Sequence, residues 1–159
     1  RIGYLFGRIK SDYKMPDKNI LDKTYLKMAK TWSKLSKARR KKVGCLIVKN
    51  GSIISDGYNG TPKGFDNNCE INLDEHDHTA LLTKPEVLHA ESNAITKLAK
   101  SHNSSEGATM YITIAPCLEC SKLIIQSGLK RVVYKRAYKN LEGIKLLKKS
   151  GINIKSYEN

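Results

Sequence analysis

At 159 residues, 40% hydrophobic and 28% charged, the chain has the composition of one globular domain able to bury a sizeable core. No apolar run approaches the ~20 residues of a membrane-spanning helix, and the apolar stretch within residues 1–10 is too short for a secretory leader. With 29 Lys and Arg against 15 Asp and Glu, the formal charge of +14 favours an anionic partner, either a polynucleotide or a small phosphate-bearing molecule, without choosing between them.

Residues 1–16 read as an N-terminal extension. From Asp17 the residues Ile20, Leu21, Tyr25, Leu26, Met28, Ala29, Trp32 and Leu35 follow helical spacing and predict a helix over 18–37, with Trp32 as packing. A basic loop over 37–42 leads into a buried strand over 43–49. Asn50-Gly51 is a strong hairpin signal, so a partner strand follows and runs out at Gly57-Tyr58-Asn59-Gly60. Residues 61–86 show no period and carry Asp74-Glu75-His76-Asp77-His78; a loop this long in a compact domain is functional or inserted. A helix over 89–100 and a strand over 109–114 come next. Pro116 then opens a helix at the favoured first position and Gly128 closes it. A strand over 131–134, a helix over 141–150 and a strand over 152–154 complete the order. An antiparallel hairpin followed by strand–helix alternation predicts a single three-layer α/β/α domain with a mixed five-stranded sheet.

Two short strings carry chemistry: His89-Ala90-Glu91 and Pro116-Cys117-Leu118-Glu119-Cys120. Cys117 and Cys120 lie three apart at a helix start, so their sulfurs point the same way and the helix N-terminus favours thiolates. With a neutral His89 they would balance Zn²⁺ and fill three tetrahedral positions, the catalytic count, leaving the fourth open for a water of pKa ~7. Glu91 is then free to move protons rather than ligate. Alone, C-x-x-C could be a redox pair or half of a structural site, and His-x-Glu is weak; together, each at a helix start, they point to catalytic zinc. Cys45 reads as core. Cys69 stands alone, so the cysteines suit a reduced, cytoplasmic setting.

H-x-E followed by P-C-x-x-C is the signature of zinc-dependent nucleobase deaminases. Through residues 43–48, 57–64, 89–95, 106–111 and 115–122 the chain resembles the cytidine/deoxycytidylate deaminase superfamily, and within it the deoxycytidylate (dCMP) deaminases of phage and bacterial type. The resemblance implies a cytidine-deaminase-like fold, hydrolytic deamination of dCMP to dUMP for thymidylate synthesis in the (host) cytoplasm, and a homohexamer. It makes His89, Cys117 and Cys120 zinc ligands, Glu91 the proton shuttle, and Asn59 the residue holding the deoxyribose 3′-hydroxyl. For the 5′-phosphate, Arg40 and Lys42, with neighbouring Arg39 and Lys41, and Tyr138 are the donor candidates. The resemblance further implies activation by dCTP and inhibition by dTTP through Gly57, Tyr58, Asn59, Gly60 and the helix after His89, with Mg²⁺ accompanying the triphosphate. On that helix Lys100 stands where an arginine is expected, which puts regulation in question. Some relatives carry a second, structural zinc. Cys69, His76 and His78 are the candidates for it, with Glu75 or Asp77 as fourth ligand, although no cysteine near 33–38 helps to close such a site. The alternatives are a tRNA adenosine or single-stranded polynucleotide deaminase, a dCTP or cytosine deaminase, and a non-enzymatic zinc module. The Gly-Tyr-Asn-Gly-Thr-Pro string and the insertion point away from nucleic acid, and nothing points to a membrane partner.

Overall fold

The computed structural model describes Lys14 and residues 16–158; the extension predicted over 1–16 falls almost wholly outside the described residues. Helix α1 spans Lys18–Ser33, capped by Asp17, whose carboxylate accepts from the Asn19 and Ile20 amides. It stops short of the predicted residue 37. The chain tightens into i→i+3 bonds from Lys34, Leu35 and Ser36, and Leu35, expected on the apolar face, is exposed. Strands β1 (Gly44–Lys49) and β2 (Ser52–Tyr58) form the predicted hairpin around Asn50-Gly51, both at positive φ, with a bulge between Ile47 and Val48.

The stretch from 61 to 86 is not a plain loop. It contains a small antiparallel pair, β3 (Glu70–Asn72) and β4 (Leu81–Thr83), with Glu70 opposite Thr83. The ends of this insertion are tied by a bridge between Gly60 and Leu88, whose amides bond each other's carbonyls. Then follow α2 (Ala90–Leu98), β5 (Thr109–Ile114), α3 (Leu118–Gln126), β6 (Arg131–Arg136), α4 (Glu142–Lys149) and β7 (Asn153–Ser156). Pro116 lies one residue before the α3 cap Cys117, not at the first helical position as predicted. Gly128, at positive φ, follows the C-cap as predicted.

The main sheet runs β2-β1-β5-β6-β7, antiparallel across the first three strands and parallel across the last three: the predicted mixed five-stranded sheet. Cys45, Ile47, Met110, Ile112 and Val132 pack on one face with Ala94, Ile124 and Leu147 of α2, α3 and α4. On the other face Leu46, Val48, Tyr111 and Val133 meet Leu26 and Ala29 of α1. Burial on both faces explains why β1 and β5 read as continuous apolar runs rather than alternations. Trp32, predicted as packing, is half-exposed and donates its Nε1–H to Asp56 at 2.7 Å. No helix among the described residues is long and apolar enough to cross a membrane.

The α1 face is held by a buried polar cluster. Asp22, 1% exposed, accepts both Arg131 NH1 and NH2, at 2.7 and 2.6 Å, and also Tyr111 Oη and Tyr157 Oη, at 2.9 and 3.0 Å. Burial alone would raise the Asp22 carboxyl, but the bonds from Arg131, Tyr111 and Tyr157 outweigh it and hold it below the ordinary carboxylate value. A carboxyl depressed in the folded state contributes stability that is whole above its unfolded pKa and lost as pH falls through its folded one. Asp22→Asn is therefore expected to cost about 3–5 kcal/mol, because it strands the Arg131 charge. It should also remove part of the acid-induced loss of stability, as read by urea unfolding at pH 7 and at pH below 4; equal stability of both proteins at pH 7 would contradict this.

Candidate active site

His89 is the N-cap of α2 and makes no capping bond with its side chain, which leaves the imidazole free to turn outward. Cys117 is the N-cap of α3, and its sulfur accepts the Cys120 amide. His89 Nδ1 lies 3.5 Å from Cys117 Sγ and 3.4 Å from Cys120 Sγ. Among the described residues these are the one group of three potential ligands whose donor atoms all fall within 4.8 Å of one another. Tetrahedral zinc, with bonds of about 2.3 Å to sulfur and about 2.0 Å to nitrogen, separates such donors by roughly 3.5 Å. The donor set therefore fits zinc in both chemistry and spacing.

The protonation pattern fits as well. Cys117 is pulled down to about 3, chiefly by the hydrogen bond from Cys120, and Cys120 is correspondingly pushed up. His89 is raised, mainly by its bond to Cys117. The pair thus favours a thiolate at Cys117, and a bound divalent cation would favour one at Cys120 as well. Glu91, on the first turn of α2, is 4% exposed, and burial raises its carboxyl to about 7. That value suits a group that both takes and returns a proton near neutral pH.

Close backbone packing holds the two helix starts. A Cβ on Gly143, at the start of α4, would lie 2.3 Å from the Pro116 carbonyl oxygen and 2.8 Å from Cys117 backbone atoms. A Cβ on Gly57 would lie 2.2 Å from the Ala90 carbonyl oxygen. Only glycine lets α4 press on the cysteine turn and β2 press on the first turn of α2. The resemblance implies an effector role for Gly57; its visible work in the structure is this packing.

One cavity joins His89, Glu91 and Cys117 to Arg40, Lys41, Asn59, Tyr138 and Lys139. Lys41 Nζ stands 5.9 Å from the centre of the Tyr138 ring. Of the residues predicted for the catalytic metal, substrate and effectors, Arg39, Lys42, Gly57, Tyr58, Gly60, Lys100 and the buried Cys120 do not line the cavity. Asn59 does, but its side chain first serves the backbone: Oδ1 accepts the Val43 amide and Nδ2 donates to the Lys41 carbonyl, both at 2.8 Å. One N–H and one lone pair of that amide remain for a ligand. Lys139, Glu70, Thr83 and Gly143 escaped the sequence reading; only Lys139, next to Tyr138, carried a signal.

The second-zinc candidates do not converge. Cys69 is buried with its thiol near the Asn67 carbonyl, while His78 Nδ1 lies 3.4 Å from Asn72 Nδ2. Asp74 and Asp77 instead stabilise tight turns by accepting the His76 and Thr79 amides. Neither a second zinc nor a Mg²⁺ site gains support among the described residues.

Residues 20–136 match the family model for the cytidine and deoxycytidylate deaminase zinc-binding region. The chain is 37% identical over 168 aligned positions to the deoxycytidylate deaminase of Enterobacteria phage T4, covering 82% of this chain and 86% of that protein. It is 33% identical to the deoxycytidylate deaminase of Saccharomyces cerevisiae, of whose length the match spans 44%. Among solved structures, the dCMP deaminase of cyanophage S-TIM5 in complex with dCMP and dUMP superposes with a TM-score of 0.80. That match has 40% identity and covers 91% of this chain and 99% of the other.

Protein stripped of metal is expected to take up one zinc per chain, read by elemental analysis after desalting. Cys120→Ala should abolish retention, and Gly143→Val should weaken it by about 10–100-fold, the usual range for residues that orient ligands. Full zinc retention by Cys120→Ala would contradict the three-donor site.

Proposed function

The chain belongs to the cytidine and deoxycytidylate deaminase zinc-binding family, and within it we propose that it hydrolyses dCMP to dUMP and ammonia. The observation that carries this is one cavity lined by two members of a zinc-type donor set, His89 and Cys117, by the buried carboxyl of Glu91 with its pKa near 7, and by cationic side chains. A nucleoside monophosphate presents matching parts: an exocyclic amine to remove and a phosphate to hold. The kinship with the phage T4 and cyanophage enzymes, each named for this substrate, supports the same choice.

In this reading His89, Cys117 and Cys120 hold the zinc, which supplies the Lewis acidity that makes water a nucleophile near neutral pH. Glu91 would accept a proton from the attacking water and deliver it to N3 of the pyrimidine as the water oxygen bonds to C4. It would then carry the remaining proton of that oxygen to the amine, and the C4–N bond would break as the C4 carbonyl forms, releasing ammonia. Its burial keeps the carboxyl able to serve in both directions. Arg40, Lys41 and Lys139, with the Tyr138 hydroxyl, seat the 5′-phosphate, and the spare N–H and lone pair of Asn59 meet the sugar 3′-hydroxyl. Lys42 takes no part in this seat.

The same proposal extends to dUMP supply for thymidylate synthesis, to activation by dCTP and inhibition by dTTP, and to assembly as a hexamer. For the effectors, the candidate residues Gly57, Tyr58, Gly60 and Lys100 do not themselves line the catalytic cavity.

The test is ammonia release from dCMP, CMP, deoxycytidine, dCTP and a short single-stranded DNA. The protein is expected to favour dCMP, and Glu91→Gln to keep its zinc while losing about 10²–10⁴-fold in kcat. Preference for the oligonucleotide, or an active Glu91→Gln, would overturn the reading.

A further inference from the structure

The insertion hairpin grips one residue of the basic loop at both ends. Glu70 is buried, at 2% exposure, where the hairpin meets the cavity. Its Oε1 accepts the backbone amides of Arg39 and Arg40, at 2.9 and 3.1 Å. Directly across the hairpin from Glu70 sits Thr83, whose Oγ1 accepts from NH1 of the Arg40 guanidinium at 2.9 Å. One cross-strand pair therefore fixes Arg40 by its main chain and by its side-chain tip. The second Glu70 oxygen, Oε2, is buried without a hydrogen bond and faces the Arg39 Nε at 3.7 Å. A carboxylate buried in this way is expensive unless something uses its charge. The main users here are the amides and guanidinium of the loop that supplies the cavity's cations.

We propose that Glu70, with Thr83 opposite it, is a positioning residue that holds Arg40 in place to receive the 5′-phosphate of the substrate. This rests on the dCMP reading above. A long arginine side chain loses considerable rotamer freedom on binding an anion, and an arginine already held at both ends loses less. The three-residue strands of the hairpin, too short to be a fold element in their own right, are long enough to set this one cross-strand pair. The insertion thus acts as part of the substrate seat. It sets affinity for the phosphate and leaves the chemistry at the metal alone.

The experiment measures kcat and KM for dCMP with zinc-loaded wild type, Glu70→Gln and Thr83→Val, over a range of ionic strength. Thr83→Val removes the side-chain acceptor at a partly exposed position and keeps the fold. Glu70→Gln keeps the shape of the side chain but replaces the charge-assisted bonds to the two amides with weaker neutral ones. Both are expected to raise KM about threefold to tenfold with kcat within about twofold of wild type, the pattern for lost ground-state binding. They should also flatten the salt dependence of kcat/KM, because a less ordered Arg40 contributes less of the charge that salt screens. Neither change would follow from a merely structural role, which lowers the active fraction and leaves KM alone. Unchanged KM in both variants, or a fall in kcat alone, overturns the proposal while the dCMP reading stands. A wild type inert towards dCMP overturns the reading itself, and this assignment with it.

Discussion

Everything at the active site depends on two helices starting at one place. His89 is the N-cap residue of the first without a capping bond from its side chain, and the sulfur of Cys117 caps the second, so the least satisfied ends of α2 and α3 face each other. Backbone N–H groups at both ends favour negative charge, which suits a thiolate pair and a carboxylate that spends part of its time ionised. Helix α3 begins just past the end of β5, and α2 begins just past the bridge of Leu88 to Gly60 beyond the end of β2. Close contacts at Gly57 and Gly143 then remove the remaining freedom.

The opposite face of the sheet solves a different problem. There the single helix α1 covers Leu46, Val48, Tyr111 and Val133, a small apolar patch reinforced by the Asp22 cluster. Arg131 and Tyr111 reach Asp22 from β6 and β5, and Tyr157 reaches it from beyond β7, so one buried carboxylate ties three strands' worth of chain to one helix. The Asp22 cluster lies on the α1 face, and the His89, Cys117 and Cys120 group lies on the face of α2, α3 and α4.

How much of this could be read in the sequence followed from the range of the interactions. Period and punctuation are local, so the Asn50-Gly51 turn, the Gly128 stop and the alternation of strands and helices were all legible. So was the grouping of Cys117 and Cys120 that His89 joins, because their spacing on one turn is itself a geometric statement. The hairpin of the insertion was not, since strands of three residues are too short to show a period and Ile71, Leu73 and Leu82 remain exposed. Glu70 gave no signal because its partners lie about thirty positions away. The basic loop was legible only as a cluster of charge. Which members enter the cavity depends on how Asn59 pins residues 41 and 43, and that favours Lys41 over Lys42.

The central claim is that this constellation is a working hydrolytic centre for a pyrimidine nucleotide. It is tested most directly by the stoichiometry of the reaction with zinc-loaded protein. Incubation with dCMP is predicted to yield dUMP and ammonia in equal amounts, to stop when a chelator removes the metal, and to resume when zinc is restored. Unchanged dCMP after prolonged incubation with fully zinc-loaded protein would contradict the account.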